Sequence, residues 1–169
     1  MSKKLFFIIP IFIILIGIGI FFNKKLLIPK KTHYHAGFVV FHNNKKVDFS
    51  DLKYMFLEPC ALNSKREDPP AIIQIQKAHL HDNVGDLIHI ERTGATWQDL
   101  FTNIHYKIDY TNATGYINGK RVSEFKQQTI RPFDSLVVFI GNNQTTLLSQ
   151  AVTKDYMIKM AKKSTNCGD

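Results

Sequence analysis

The chain is poor in sulfur. Cys60 and Cys167 are its only cysteines and no C-x-x-C pair occurs, which excludes a thioredoxin-type redox centre. Also missing are the H-E-x-x-H of helical zinc hydrolases, the G-x-S-x-G of serine hydrolases and a Gly-rich phosphate loop. With those patterns absent, no catalytic residue and no organic-cofactor-binding residue is assigned, and a non-enzymatic role is expected. There is no internal repeat and no long low-complexity linker. The formal net charge is +8, but the basic residues are scattered, and no basic stripe interleaved with aromatics appears. The sequence therefore gives no reason to expect nucleic acid as a partner.

What is present begins with a lipid-seeking N-terminus. Leu5 to Phe22 is one uncharged apolar run, bracketed by Lys3-Lys4 and Lys24-Lys25. At about 1.5 Å per residue it would span roughly 27 Å as a helix, close to the hydrocarbon thickness of a bilayer. No Ala-x-Ala-like cleavage site and no lipobox-like cysteine follows, so an uncleaved, single-pass transmembrane helix is expected over residues 1–23. Pro10 lies near one end of the run, where a missing backbone donor is tolerated. Positive charges nearly balance across the span. The short basic N-terminus running straight into the apolar stretch looks like an export signal. That favours a cell-membrane protein with its soluble domain on the extracytoplasmic side; the alternative is a cytoplasmic domain tethered from its N-terminus.

The most informative feature of the remainder is a set of histidines. His33/His35 and His79/His81 are two H-x-H pairs, and the second is followed by Asp82 and then by His89 and Glu91. Alternate residues of an extended strand point to the same face, so each pair presents two imidazoles side by side. His42 and His105 stand alone and read as ordinary turn or helix-end residues.

Roughly 140 residues follow the span, enough for one domain with a modest core. Residues 24–32 form a basic stalk, 33–141 a His-rich α+β domain, and 142–169 a C-terminal helix with a polar tail. His33 to Phe41 reads as a strand, turning at Asn43-Asn44-Lys45. Ala71 to His81 and Leu87 to Arg92 read as the arms of a hairpin. With His79 opposite His89, the residues His79, His81, Leu87, His89 and Glu91 share one face, and Leu80, Ile88 and Ile90 point to the core. A slip of one residue would disperse that set. Thr96 with Asp99 is an N-cap signal, and Trp97, Leu100, Phe101 and Ile104 form one apolar helical stripe. Asn118-Gly119 marks a tight hairpin turn. Leu136 to Ile140 is a strand buried on both faces, and Thr145 to Lys163 is helix-like.

Two resemblances follow from these strings. A hairpin, a helix packed across the sheet and further strands, with "YINGKRV" leading to "FDSLVVFIG", resemble the ubiquitin-like β-grasp. This implies a mixed sheet with one packed helix, followed here by the C-terminal helix. The chain continues past Gly141, so the Gly-Gly terminus of a sulfur carrier is not implied. "HYHAGFVVFHNNKKVDFSDLKYM", "HLHDNVGDLIHIERTGATWQDLFTNI" and "YINGKRV…FDSLVVFIG" are similar to a family of uncharacterised, membrane-anchored extracytoplasmic proteins of bacteria and archaea. Its members carry H-x-H, then H-x-HD…G-x-IIH, then VNGK. Some members are labelled disulfide-isomerase-like, an activity this chain's lack of C-x-x-C does not support. His-Leu-His-Asp also resembles the H-x-H-x-D-H of metallo-β-lactamase-like hydrolases, but Asp82 comes one position early and the next histidine is missing.

Three readings of the histidines stand at this point. They hold a transition metal such as zinc or copper through His33, His35, His79, His81 and His89, with Asp82 and Glu91 as partners. Alternatively, they are locally hydrogen-bonded residues on exposed strand faces, or a pH-responsive or ligand-binding surface. For the whole protein, the expectation is a membrane-anchored binding or accessory module, attached through residues 5–22, with its protein partner unknown. The alternatives are a thiol-disulfide accessory protein using Cys60 and Cys167, and a structural envelope protein without a ligand.

Overall fold

The computed structural model describes residues 29–57 and 68–163; Leu5 to Phe22, Cys60 and Cys167 lie outside the described residues. No helix among the described residues is long and apolar enough to cross a membrane. The described residues from Lys31 to Lys163 form one α+β unit.

Its spine is β1 (Lys31–His42), which turns at Asn43 and Asn44 into the short β2 (Lys45–Lys46). Both asparagines have positive φ, 50° and 64°, which these residues tolerate better than most. The N-terminal half of β1 pairs antiparallel with β3 (Leu87–Arg92), and its C-terminal half pairs parallel with β6 (Ser135–Ile140). β6 pairs in turn with β4 (Ala113–Ile117), and β4 with β5 (Lys120–Val122). The result is a mixed six-stranded sheet in the order β2-β1-β6-β4-β5, with β3 added on β1. Asn118 and Gly119, at φ 52° and 77°, make the β4–β5 turn, as their sequence anticipates.

Alternation along β1 divides the interior in two. Tyr34, Ala36, Phe38 and Val40 join Leu80, Ile88, Ile90, Leu136 and Val138 in one cluster. That cluster is closed by α2 (Trp97–Asn103), whose Trp97, Leu100 and Phe101 are buried, together with Ile104 just beyond it. The Thr96–Asp99 capping box forms as expected. Val39, Phe41, Leu87, Val137 and Phe139 line the opposite face, packed against Val152 and Met157. Gly37 is where this cover comes closest: a Cβ there would lie 2.4 Å from Val152 Cβ. Tyr156 fastens the same cover by donating its hydroxyl to Asp86 Oδ1 at 2.9 Å.

Two expectations are corrected. Ala71 to Lys77 is not a strand arm but part of α1 (Pro70–Lys77), so the sheet carries a second packed helix besides α2. Proline at the first helical position needs no amide partner and is preset for helical φ. Only residues 78–81 are extended, joined to β3 through His79 and His89. The stretch from Thr145 to Lys163 is not one helix but a 3-10 turn (Thr145–Gln150) followed by α3 (Lys154–Ala161). Thr153 breaks it, because its hydroxyl accepts the Tyr156 amide at 3.3 Å and caps α3, which requires an extended backbone at that position.

Candidate metal centre

Three chain segments lie side by side on the face that holds the second cluster. His35 is directly opposite His89 in the β1–β3 ladder, and His79 is opposite His89 on the other side. The backbones of His79 and His89 exchange both hydrogen bonds, at 3.1 and 2.9 Å. A row His35–His89–His79 therefore runs across the sheet, with His33 and His81 two residues away along the outer segments. Leu80, Ile88 and Ile90 point to the opposite cluster, so the expected register is the one observed.

The other four imidazoles converge on His89. Its ring centroid is 3.6 Å from that of His81, 4.1 Å from His35, 5.5 Å from His33 and 5.9 Å from His79. In two triads, His79/His81/His89 and His33/His35/His89, the available nitrogens lie within 4.8 Å of one another. Two nitrogens bound to one tetrahedral zinc at about 2.0–2.1 Å would be about 3.4 Å apart.

These faces are not exposed, contrary to the reading of ordinary surface histidines. His79 and His89 are 2% and 1% accessible, His81 is buried, and His33 and His35 are half-buried. Phe56 stacks edge-on to His79, and Met160 and Lys163 flank a cavity of about 190 Å³ beside His81, Asp82 and His89.

The surrounding groups fix which nitrogens carry protons. His79 Nδ1 lies 3.2 Å from the carbonyl oxygen of Ile75, and His81 Nδ1 lies 2.6 Å from Asp82 Oδ2. Both oxygens are acceptors, so in each case Nδ1 is the donor and Nε2 keeps its lone pair. A carboxylate or carbonyl behind the ring is the usual outer partner of a metal-bound histidine. His35 Nε2 and His89 Nε2 are 2.8 Å apart. Within this group of histidines, three buried nitrogens have no hydrogen-bond partner: His33 Nε2, His79 Nε2 and His89 Nδ1. An unsatisfied buried polar atom costs about 1–3 kcal/mol, and a bound cation would satisfy a bare lone pair.

Electrostatics also favour neutral rings. Burial, then the neighbouring His81, pushes the His79 pKa down to about 3, against a small opposing effect of the Ile75 carbonyl. Burial and then the surrounding imidazoles lower that of His89. His81 is lowered by burial, although Asp82 opposes the change. Neutral imidazole is the form that binds metal.

Of the two expected acidic partners, Asp82 stands behind His81, and the positive φ of Asp82 and Asn83 (57° and 56°) forms the turn that places it there. Glu91 belongs to neither triad. It is buried, and burial raises its pKa, opposed by the nearby Arg92 guanidinium. Arg92 ties β3 to α1 through Gln76 (2.8 Å) and pairs with Asp68. His42 and His105 are outside both triads.

Sequence reasoning missed the group that builds the His79 side. Asn103, at the end of α2, donates to the carbonyls of Gln74 (2.9 Å), Ile75 (3.3 Å) and Ala78 (2.8 Å). It thus caps the last turn of α1 and holds the carbonyl that orients His79. No local pattern marks it, because its partners lie 25 or more residues away. No protein-family model, no curated protein and no solved structure matches this chain.

Proposed function

We propose that this chain is a membrane-anchored, extracytoplasmic binding or accessory module that holds a transition metal, zinc or copper, through its clustered histidines. The observation that carries the reading is a pair of neighbouring imidazoles, His79, whose buried Nε2 has no hydrogen-bond partner, and His81 beside it. Each is left with a lone pair because Nδ1 is committed to an oxygen behind the ring. His89 adds a third nitrogen within 4.8 Å. Three imidazoles, two of them with an oxygen partner behind the ring, make a ligand set suited to zinc or copper, and three protein ligands leave a coordination position open. The cavity beside His81 and His89 supplies a path to it.

The anchor and its orientation rest on Leu5 to Phe22 and its flanking lysines. We read the sheet as β-grasp-like. A hairpin (β1–β2), a parallel β1–β6 pair at the centre and an antiparallel β4 beside β6 support this, with β3 and α1 as additions. The similarity to the membrane-anchored family with H-x-H and H-x-HD motifs fits the same reading, since those motifs are the residues that meet at His89.

The test is a zinc titration of the chelator-treated full chain in detergent, followed by competition with a chromophoric chelator. At least one zinc per chain is expected, and a His79→Ala/His81→Ala variant should bind at least one ion fewer. Absence of binding at micromolar zinc and copper would overturn the proposal.

A further inference from the structure

We propose that His89 bridges two metal ions, one held with His79 and His81 and the other with His33 and His35. This rests on the metal-site reading above and adds to it a second ion and the ligand that joins the two. The two triads share His89 alone. Its strand lies between the two pairs, with His35 opposite it on one side and His79 on the other. On the ring itself the two nitrogens face different ways. Nε2 is 2.8 Å from His35 Nε2, whereas Nδ1 is buried without any hydrogen-bond partner. Each remaining pair also contains one buried nitrogen lacking a partner, Nε2 of His33 and Nε2 of His79. The unsatisfied atoms are thus spread over both sides of His89 rather than gathered on one.

A single neutral imidazole can offer a lone pair to only one ion. To serve both sides, His89 gives up its remaining N–H proton to solvent as the second ion binds, and the resulting imidazolate binds one ion at each nitrogen. No electron transfer is involved. The negative bridge offsets part of the repulsion between two cations in a site from which water is largely excluded. Each ion then has three nitrogen ligands, an incomplete set that leaves room for water or a small anion.

Copper(II) is the suitable probe, because it binds nitrogen sites most tightly among the divalent first-row metals and carries an unpaired electron. The full chain in detergent is stripped with chelator and titrated with copper, reading copper per chain by elemental analysis and the electron paramagnetic resonance spectrum at each step. The expected result is two copper ions per chain. The signal of the first equivalent should be lost as the second adds, because the two spins couple through the bridge. A His33→Ala/His35→Ala variant, altered at half-buried positions, should bind one copper and keep an uncoupled spectrum. His79→Ala/His81→Ala should do the same, and circular dichroism of each variant confirms that it is folded. Two ions with an uncoupled spectrum in the unaltered chain would overturn the bridge. Saturation at one ion would overturn it too, while leaving the metal-binding reading intact; no copper bound at all would remove both.

Discussion

Acid should weaken the metal-free fold by an amount that can be worked from the buried imidazoles. His79 is 2% accessible, and burial holds its pKa near 3. In the unfolded chain the ordinary value is about 6.5. The folded pKa is the lower one, so the unfolded state takes up a proton first. Stability from this group is complete above about pH 6.5 and is lost progressively as pH falls toward 3. At about 1.36 kcal/mol per pH unit, going from pH 7 to pH 5 removes about 2 kcal/mol for His79 alone. His89, lowered for the same reason, adds to the loss. Glu91 acts in the opposite direction: its pKa is raised, so it binds a proton sooner in the folded state and offsets part of the effect. The net expectation is a loss of about 2–4 kcal/mol, a large share of a typical domain's stability. Urea unfolding of the chelated protein at pH 7 and pH 5, followed by near-ultraviolet circular dichroism, measures it. A His79→Phe variant should lose about 2 kcal/mol less on the same acidification. If the unaltered protein and this variant show the same pH dependence, His79 is not held neutral in the fold and the reasoning fails.

Three further outcomes follow from the geometry. Asp82→Asn removes the carboxylate behind His81; zinc affinity, measured by chelator competition, should fall about 10- to 100-fold with little change in the fold. Asn103→Ala strips the donor shared by three carbonyls at the end of α1. It should cost about 1–3 kcal/mol in urea unfolding and weaken zinc binding, because Ile75 no longer presents its carbonyl to His79 in a fixed position. Gly37→Ala drives a methyl group into Val152 and Met157; a loss of about 1–3 kcal/mol is expected, with zinc stoichiometry preserved.

Where local chemistry determines local structure, the sequence was readable. The Asn118-Gly119 turn, the Thr96–Asp99 cap with its buried stripe, and the wholly buried β6 all formed as their residues imply. The same holds for the His79–His89 register, since alternation sends Leu80, Ile88 and Ile90 to the core together. Ile72, Ile73 and Ile75 misled, because β-branched residues suggest a strand; Pro69-Pro70 was the available sign of a helix start. The break at Thr153 was hidden because a threonine inside an amphipathic stretch does not show whether it will cap.

The site was legible as a set of residues but not as a place. Nothing near His33 or His35 in the sequence says that β1 will pair with β3, with His35 and His89 54 residues apart. The burial of His79, His81 and His89 was equally unreadable. It comes from Phe56, α3 and the neighbouring rings, all distant along the chain. Polar residues alternating on a strand are ordinarily solvent-facing, and that prior is what the convergence of imidazoles defeats here.

X-ray absorption of the zinc-loaded full chain tests the central claim most directly. Nitrogen at about 2.0–2.1 Å, with the outer-shell scattering of at least three imidazoles, is the predicted spectrum. A first shell of oxygen with fewer than two imidazoles, or zinc that washes away, would contradict the account.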